Sequence, residues 1–429
     1  MKKLTIAMLA ILVASSVAMA TDTRVATIGG ASAFLKDYTD IYMLPSVLSA
    51  YPRMISAELG TAPAGYPYYG SASITWTNNE EQTWGVMGID VNHAIHGEQA
   101  FEADLARVNL WIAPSAIPMP DNKFHLFYAK KFGTMTAGLH LARAAGSATG
   151  EYADSVSNTK GEASSGILLI NAGLSMSPME NVELDAAFSY QMLSFKGDTT
   201  HTQTLPAPAV SGSTTIENDG GSQIMFGARA FYGMSDQLKI VPAFGINMYS
   251  LGYKTAFTGA DTSIDRPRGG KKSATNVAGA FGVNYQPAEN VTVVGGLHLG
   301  FGSTTVEDTN GVFVGGGGKK ATISTMTLPG FSAAVEAKLV KWLAVRFGAS
   351  KMLSSTTTED QWHSALVGNV TTKSTTTAAP YAFSFGLGLT FGNLKIDGKL
   401  GDDQPFDLGY LMSGNPNPVF TQVSATYKF

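Results

Sequence analysis

Three groups of residues in this chain are of types and spacings that can do chemistry. His93, His96 and Glu98 in "NHAIHGE" offer two imidazoles and a carboxylate within six positions. A metal ion needs three or four converging ligands, and a flexible loop supplies no fixed geometry for them. Glu183 and Asp185 in "NVELDAAFSYQM" are a carboxylate pair of the kind used in acid–base work, but they alternate with apolar residues, as the polar face of a strand does. "GVFVGGGGKK" (Gly311–Lys320) has the glycine and lysine content of a phosphate loop. Phe313 stands where the motif needs Gly, and Lys320 where it needs Ser or Thr, so a Gly-rich surface loop fits better. No Ser/His/Asp arrangement stands out, and Cys is absent, which excludes thiol nucleophiles, thiolate metal sites and disulfides. The expectation is a non-enzyme with no cofactor and no metal.

The elements that carry these residues are more telling. Val182, Leu184, Ala186, Phe188, Tyr190 and Met192 share one face of a period-two pattern, opposite Glu183, Asp185, Ser189 and Gln191. The same alternation recurs in "TNVAGAFGVNY", "FSAAVEAKL", "YAFSFGLGLTF" and "LKIDGKL". It runs to the last residue, where Val423, Ala425, Tyr427 and Phe429 share a face. These are strands with one apolar and one polar or tiny face.

The connections alternate between two kinds. Tight turns are expected at Asn78–Gln82, Phe132–Thr134, Ser177–Asn181, Gly233–Asp236, Gln286–Asn290, Lys338–Lys341 and Phe391–Asn393. Long polar loops are expected at His93–Asn122, Gly146–Ser165, Gly197–Ser222, Thr255–Ser273, Asp308–Ala321, Ser355–Ala379 and Gly401–Pro416. Short turns at one end and long loops at the other are the layout of a transmembrane antiparallel up-and-down β-barrel, with periplasmic turns and external loops. The turns, with Met54–Gly60 as opening strand and Asn415–Phe429 as closing one, predict about sixteen strands. Fourteen follows if Met54–Gly60 and one other weak segment are not barrel strands. Trp76, Trp84, Phe132, Tyr232, Tyr285, Trp342 and Phe391 adjoin the short turns, as an interfacial aromatic girdle would.

The amino terminus agrees. Lys2 and Lys3, an apolar run from Leu4 to Val13 and Ala18-Met19-Ala20 read as a cleaved signal peptide, residues 1–20, of a protein exported to the outer membrane of a Gram-negative-type bacterium. The net charge of −4 makes nucleic acid an unsuitable partner. The partners expected are outer-membrane lipid and lipopolysaccharide, the barrel-assembly machinery and a small-molecule solute. The basic stretch Asp265–Lys272 could meet lipopolysaccharide phosphates, although a solvated loop tip fits it better. Val423, Ala425, Tyr427 and Phe429 resemble the terminal assembly signal of bacterial outer-membrane proteins.

A sixteen-strand barrel is wide enough to hold water. The lumen face is expected to carry Arg143, Glu183, Asp185, Arg229, Glu336, Arg346 and Lys395, a mixture of signs with no single-sign ring. Residues 21–53 precede the barrel of residues 54–429. Phe34, Tyr38, Ile41, Tyr42, Leu44, Val47 and Leu48 would be costly to leave in water, and their spacing is nearer helical than alternating. This segment is expected to fold into the lumen as a plug, with Phe34, Asp40, Tyr42 and Pro45 among its anchors. The apolar loop after His93, with Phe101, Leu105, Val108, Leu110, Trp111 and Ile112, either enters the barrel mouth or packs on neighbouring loops.

"TRVATIGGASAFLKDYTDIYMLPSVLSAYP" resembles the amino-terminal region of the long-chain fatty-acid transporter superfamily and its secretion-associated relatives. Ile28-Gly29-Gly30-Ala31 matches the Gly-rich start and Asp40 the acidic residue. Leu44-Pro45-Ser46 departs from the Asn-Pro-Ala turn. The resemblance implies an internal hatch and uptake of hydrophobic molecules, and also a fourteen-strand barrel, against the sixteen counted here. It places no ligand contacts on this chain. Three functions remain: an open porin, a plugged transporter of hydrophobic compounds, and a non-transporting surface or secretion scaffold.

Overall fold

The computed structural model describes residues 21–60, 69–112, 117–153, 157–203, 210–259, 269–308, 319–364, 368–401 and 420–429. Residues 1–20, expected to be a signal peptide, most of the Gly311–Lys320 loop, the first half of the basic Asp265–Lys272 stretch and nearly all of the Gly401–Pro416 loop lie outside them.

Period-two alternation builds one sheet. Its segments are β1 Met54–Gly60, β2 Tyr69–Thr77, β3 Val86–Val91, β4 Asn122–Phe132, β5 Met135–Ala153, β6 Ser157–Met179, β7 Val182–Gln203, β8 Val210–Ser235 and β9 Leu238–Gly259. They continue as β10 Gly269–Ala288, β11 Val291–Asp308, β12 Lys319–Val340, β13 Leu343–Ser364, β14 Gly368–Ala378, β15 Tyr381–Phe391, β16 Leu394–Leu400 and β17 Phe420–Lys428. Apart from β14 and β15, each pairs antiparallel with its neighbours in sequence, and β1 pairs with β17 in the register Met54↔Lys428 to Gly60↔Gln422, so the wall closes. β14 and β15 lie end to end along β13, interrupted at Ala379-Pro380. The 17 described segments therefore make a closed barrel of 16 strands. Closure of β1 on β17 removes the two free edges that an open sheet would have. Pro329 sits inside β12 at a register shift between Thr327 and Gly330, where a missing N–H is tolerated.

All seven expected tight turns fall between paired strands at one end. The other end departs from expectation. Four of the polar stretches read as long loops are largely ladder: β5 and β6 pair out to Ala153↔Asn158, β7 and β8 to Gln203↔Val210, β8 and β9 to Gly212↔Gly259, and β13 and β14 to Ser364↔Gly368. β8 reaches 26 residues. The sequence hid this because beyond an apolar belt both faces of a strand meet water. The apolar–polar alternation then fades while Thr and Ser still favour extended backbone. Asp308–Ala321 keeps its central residues, 309–318, outside the described ones.

The two faces segregate. Outward residues such as Leu139, Leu141, Leu168, Phe188, Phe226, Phe281, Leu297 and Phe331 are exposed and form an apolar belt. Trp84, Phe132, Tyr232, Tyr285, Trp342, Phe391, Tyr427 and Phe429 are exposed around the turn end. Val423, Ala425, Tyr427 and Phe429 lie on this outer face, while Ser424 and Thr426 are buried inside.

Candidate functional site: the filled lumen

The lumen is filled by two insertions. The first is residues 21–53: a helix α1 (Asp22–Thr27) and 3-10 turns at Gly29–Phe34, Tyr38–Tyr42 and Pro45–Ala50. Asp37 starts one turn with a capping box, its carboxylate accepting from Thr39 N while Asp40 accepts from Asp37 N. Pro45 opens the last turn, where its fixed φ and missing N–H suit a helical start. Ile28, Phe34, Ile41 and Leu48 are fully buried, so this segment supplies much of the molecule's interior.

Glycines on the wall seat the plug closely. A Cβ at Gly282 or Gly296 would fall inside the Phe34 ring, and a Cβ at Gly138 would overlap the Pro45–Ser46 backbone. A Cβ at Gly173 would come within 2.8 Å of Pro45 Cδ. Asn171 Nδ2 donates to the Tyr42 and Met43 carbonyls, and Ser384 Oγ to the Thr27 carbonyl. Thr21 Oγ1 lies 2.6 Å from Ser424 Oγ on the last strand.

Buried ion pairs join the same parts. Arg24 Nη1 donates to Asp37 at 3.0 Å and Arg24 Nε to Glu336 at 2.8 Å. Glu336 also pairs with Arg346, which reaches Asp397 at 2.7 Å, and Lys395 lies 3.5 Å from Asp397. A second cluster centres on Arg229, paired with Asp40 and Asp185 and donating to the Leu35 carbonyl at 3.0 Å. Removing one partner from such a buried pair strands a charge and typically costs about 3–5 kcal/mol. Below the plug, a cavity of about 1350 Å³ opens at the turn end, lined in part by Lys36, Glu183, Glu336 and Arg346.

Of the residues expected on the lumen face, Glu183, Asp185, Arg229, Glu336, Arg346 and Lys395 face inward. Arg143 does not. It is exposed, alternates with buried Ala142 and Ala144, and shares the outer face with Leu139 and Leu141. Its ladder neighbours Phe124 and Leu168 also point outward. Charge had suggested the lumen, but strand parity decides the face. A long aliphatic stem lets a guanidinium at the rim of an apolar belt reach polar surroundings.

The second insertion follows β3. Gly97, at φ +88°, turns the chain into a helix α2 (Glu98–Ile112), whose Phe101, Leu105 and Val108 enter a cluster with inward wall residues Ile167, Leu193, Phe195, Tyr249 and Leu251. Positive φ of this kind favours glycine. Polar contacts fix the helix: Lys123 Nζ lies 2.6 Å from Glu98, and buried Asp104 accepts from Tyr249 Oη at 2.8 Å and Lys272 Nζ at 2.7 Å. The apolar loop thus enters the mouth.

The two insertions touch. The Tyr42 and His93 rings stack at 3.6 Å between centroids with 5° between planes. His93 Nε2 lies 2.6 Å from Asp22 Oδ2, and His93 Nδ1 lies 2.9 Å from the Ala94 carbonyl. Burial works against a charged His93. Asp22 in contact, with Asp90 and Glu58 nearby, outweighs it and lifts the imidazolium pKa to about 9. His93, His96 and Glu98 do not converge: Glu98 is held by Lys123, while His93 turns toward Asp22. Asp22, Arg24, Asp37, Glu58, Asp90, Asp104 and Asp397 were not singled out by sequence. Several of their partners lie far away in sequence, as Glu336 does for Arg24 and Tyr249 for Asp104, and no local pattern marks those.

No protein-family model matches the sequence, and no curated protein matches it. Among solved structures the chain is similar to the toluene transporter TodX of Pseudomonas putida, at 10% identity over 96% of this chain and 99% of that chain, with a TM-score of 0.39. It is similar to a Pseudomonas aeruginosa FadL homologue at 12% identity over 94% and 96%, with a TM-score of 0.37. It is similar also to the toluene transporter TbuX of Ralstonia pickettii, at 10% identity over 91% and 93%, with a TM-score of 0.36. These likenesses concern the fold alone.

Proposed function

We propose that this chain is an outer-membrane transporter that passes small apolar molecules, with residues 21–53 as its internal gate. The observation that carries this reading is the plug, tied to two separate wall strands, to β12 by Arg24–Glu336 and to β8 by Arg229–Asp40. A lumen filled in this way does not suit free diffusion of hydrophilic solutes. An apolar cargo suits the mouth, because Phe101, Leu105 and Val108 of α2 pack there against Phe195, Leu193 and Leu251, and a solute displacing the helix would meet an apolar wall. The apolar outer belt, ringed by aromatics at the turn end, suits a bilayer. Of the expected partners, lipid, lipopolysaccharide and the assembly machinery belong to this reading.

The test is planar-bilayer conductance of the refolded mature protein, alongside a form lacking residues 21–53, with heat-modifiable gel migration confirming a closed barrel. Silence from the intact chain and steady conductance steps from the deleted form are expected. Uptake of a small aromatic hydrocarbon into proteoliposomes should accompany silence to ions. Steady conductance from the intact chain would sink the gate, and no flux in either form would favour a scaffold.

A further inference from the structure

Where the two insertions meet, three potential metal ligands converge from three separate elements. Asp22 comes from the start of the plug, Glu58 from the inner face of β1, and His93 from the mouth loop after β3. One ligand atom of each lies within 4.8 Å of the others. Ligand atoms around a first-row ion bound at about 2.0–2.2 Å lie roughly 3–4 Å apart, so small side-chain adjustments would gather them.

Two observations point to a cation. The first is the environment of the His93 ring, which has an oxygen acceptor at each nitrogen: the Ala94 carbonyl at Nδ1 and the Asp22 carboxylate at Nε2. With Nδ1–H donated to the carbonyl, Nε2 can meet a carboxylate only through a second proton or a shared metal ion. Donation from the other ring nitrogen to a carbonyl is the arrangement that orients metal-bound histidines. The second is the supply of oxygen ligands: Asp22, Glu58 and the buried Asp90 stand around one imidazole, with Asp90 already accepting the His93 backbone N–H, so more carboxyl oxygens gather here than the two ring nitrogens can engage.

The surroundings are built to hold the ligands. Asp90 Oδ1 accepts the His93 backbone N–H at 3.2 Å, and His125 Nε2–H donates to the His93 carbonyl at 3.0 Å. Thr23 N–H donates to Glu58 Oε1 at 3.2 Å, and the His93 ring is flat against Tyr42.

We propose that Asp22, Glu58 and His93 form a site for a divalent first-row transition ion, which staples the plug to the first strand and to the mouth insertion. One imidazole and two carboxylates suit zinc(II), cobalt(II) or manganese(II). The site does not depend on what the barrel transports.

The experiment uses the mature chain, refolded in detergent and stripped with a chelator. Zinc(II) is titrated by calorimetry and cobalt(II) by visible absorption. One saturable equivalent is expected. Affinity should fall at least tenfold in Glu58→Gln and His93→Ala, and also in Asp22→Asn, which leaves the barrel wall untouched. His201→Ala, at an exposed histidine far along the wall, should bind as the parent does. Heat-modifiable migration identifies variants that remain folded. No saturable binding, unchanged binding in the folded Asp22→Asn protein, or an equal loss in His201→Ala would overturn the site.

Discussion

Phe34→Ala should release the plug without opening the wall. The ring is fully buried among Ile28, Ala31, Leu35, Phe231, Val241, Val294 and Ala334. It lies where Gly282 and Gly296 leave no Cβ, and 5.3 Å from the His298 ring. Truncating a buried Phe to Ala costs about 3–5 kcal/mol. Both docking partners persist in the released state, so this cost falls on the docking equilibrium. At 1.4 kcal/mol per tenfold, the released population should rise by roughly two to three and a half powers of ten. The chain has no cysteine, so one engineered thiol can report release. Ser46 is fully buried at the far side of the plug and bonded to Ser175 Oγ. The rate at which a water-soluble maleimide labels Ser46→Cys, with and without Phe34→Ala, then measures the shift. An increase of about a hundredfold or more is expected, with gel migration of the folded barrel unchanged. Equal labelling in both proteins would refute the idea that Phe34 anchors the plug or that the plug moves as one piece. Gly296→Ala should act in the same direction, and combining it with Phe34→Ala should cost less than the two changes separately, because the new methyl enters vacated space.

Three further outcomes follow from the same geometry. Arg229→Ala leaves Asp40 and Asp185 facing each other without their cation, and should weaken plug docking by about 3–5 kcal/mol in the same labelling assay. Deleting residues 98–112 should leave the plug in place, so conductance should stay low, while uptake of apolar solute changes because the mouth loses Phe101, Leu105 and Val108. The His93–Asp22 link should respond to pH. A histidine raised from about 6.5 to about 9 contributes stability that is full below 6.5 and is lost as pH rises through 9. The difference in thermal midpoint between the metal-free parent and His93→Gln should therefore shrink across that interval, and a constant difference would show that charge is not involved.

The architecture was legible because alternation is a strong signal wherever one face meets an apolar surface. Val182 to Met192 and Tyr381 to Phe391 announce their faces, and each short turn interrupts a period that resumes on the far side. The strand number followed from counting turns. The true lengths of β8 and β13 were illegible because "GSTTIENDGGS" and "SSTTTEDQWHS" are polar on both faces. Arg143 was misassigned because its charge was read before its parity with Leu139 and Leu141. Helix α2 left a trace: Phe101, Leu105 and Val108 are spaced four and three apart, which is helical, although the stretch reads as a loop by position. The His93 cluster left none. Asp22 and Glu58 lie 71 and 35 positions from His93, and the β1–β2–β3 meander and the docked plug bring them together.

The tie between Thr21 and Ser424 spans 403 residues of sequence. Arg24 reaches 312 residues ahead to Glu336, and Ser384 reaches 357 residues back to Thr27. Contacts of such separation reward a chain only after the intervening loop has been closed, and they form late. The plug, which lies before every strand in sequence, can therefore reach its final place only when the last strands have joined the first. A barrel caught before closure would carry an undocked amino terminus with Phe34, Ile41 and Leu48 in water, a ready target for a protease or a holding chaperone. Plug docking is thus a record of completed assembly, written in a segment that depends on the far end of the chain for its seat.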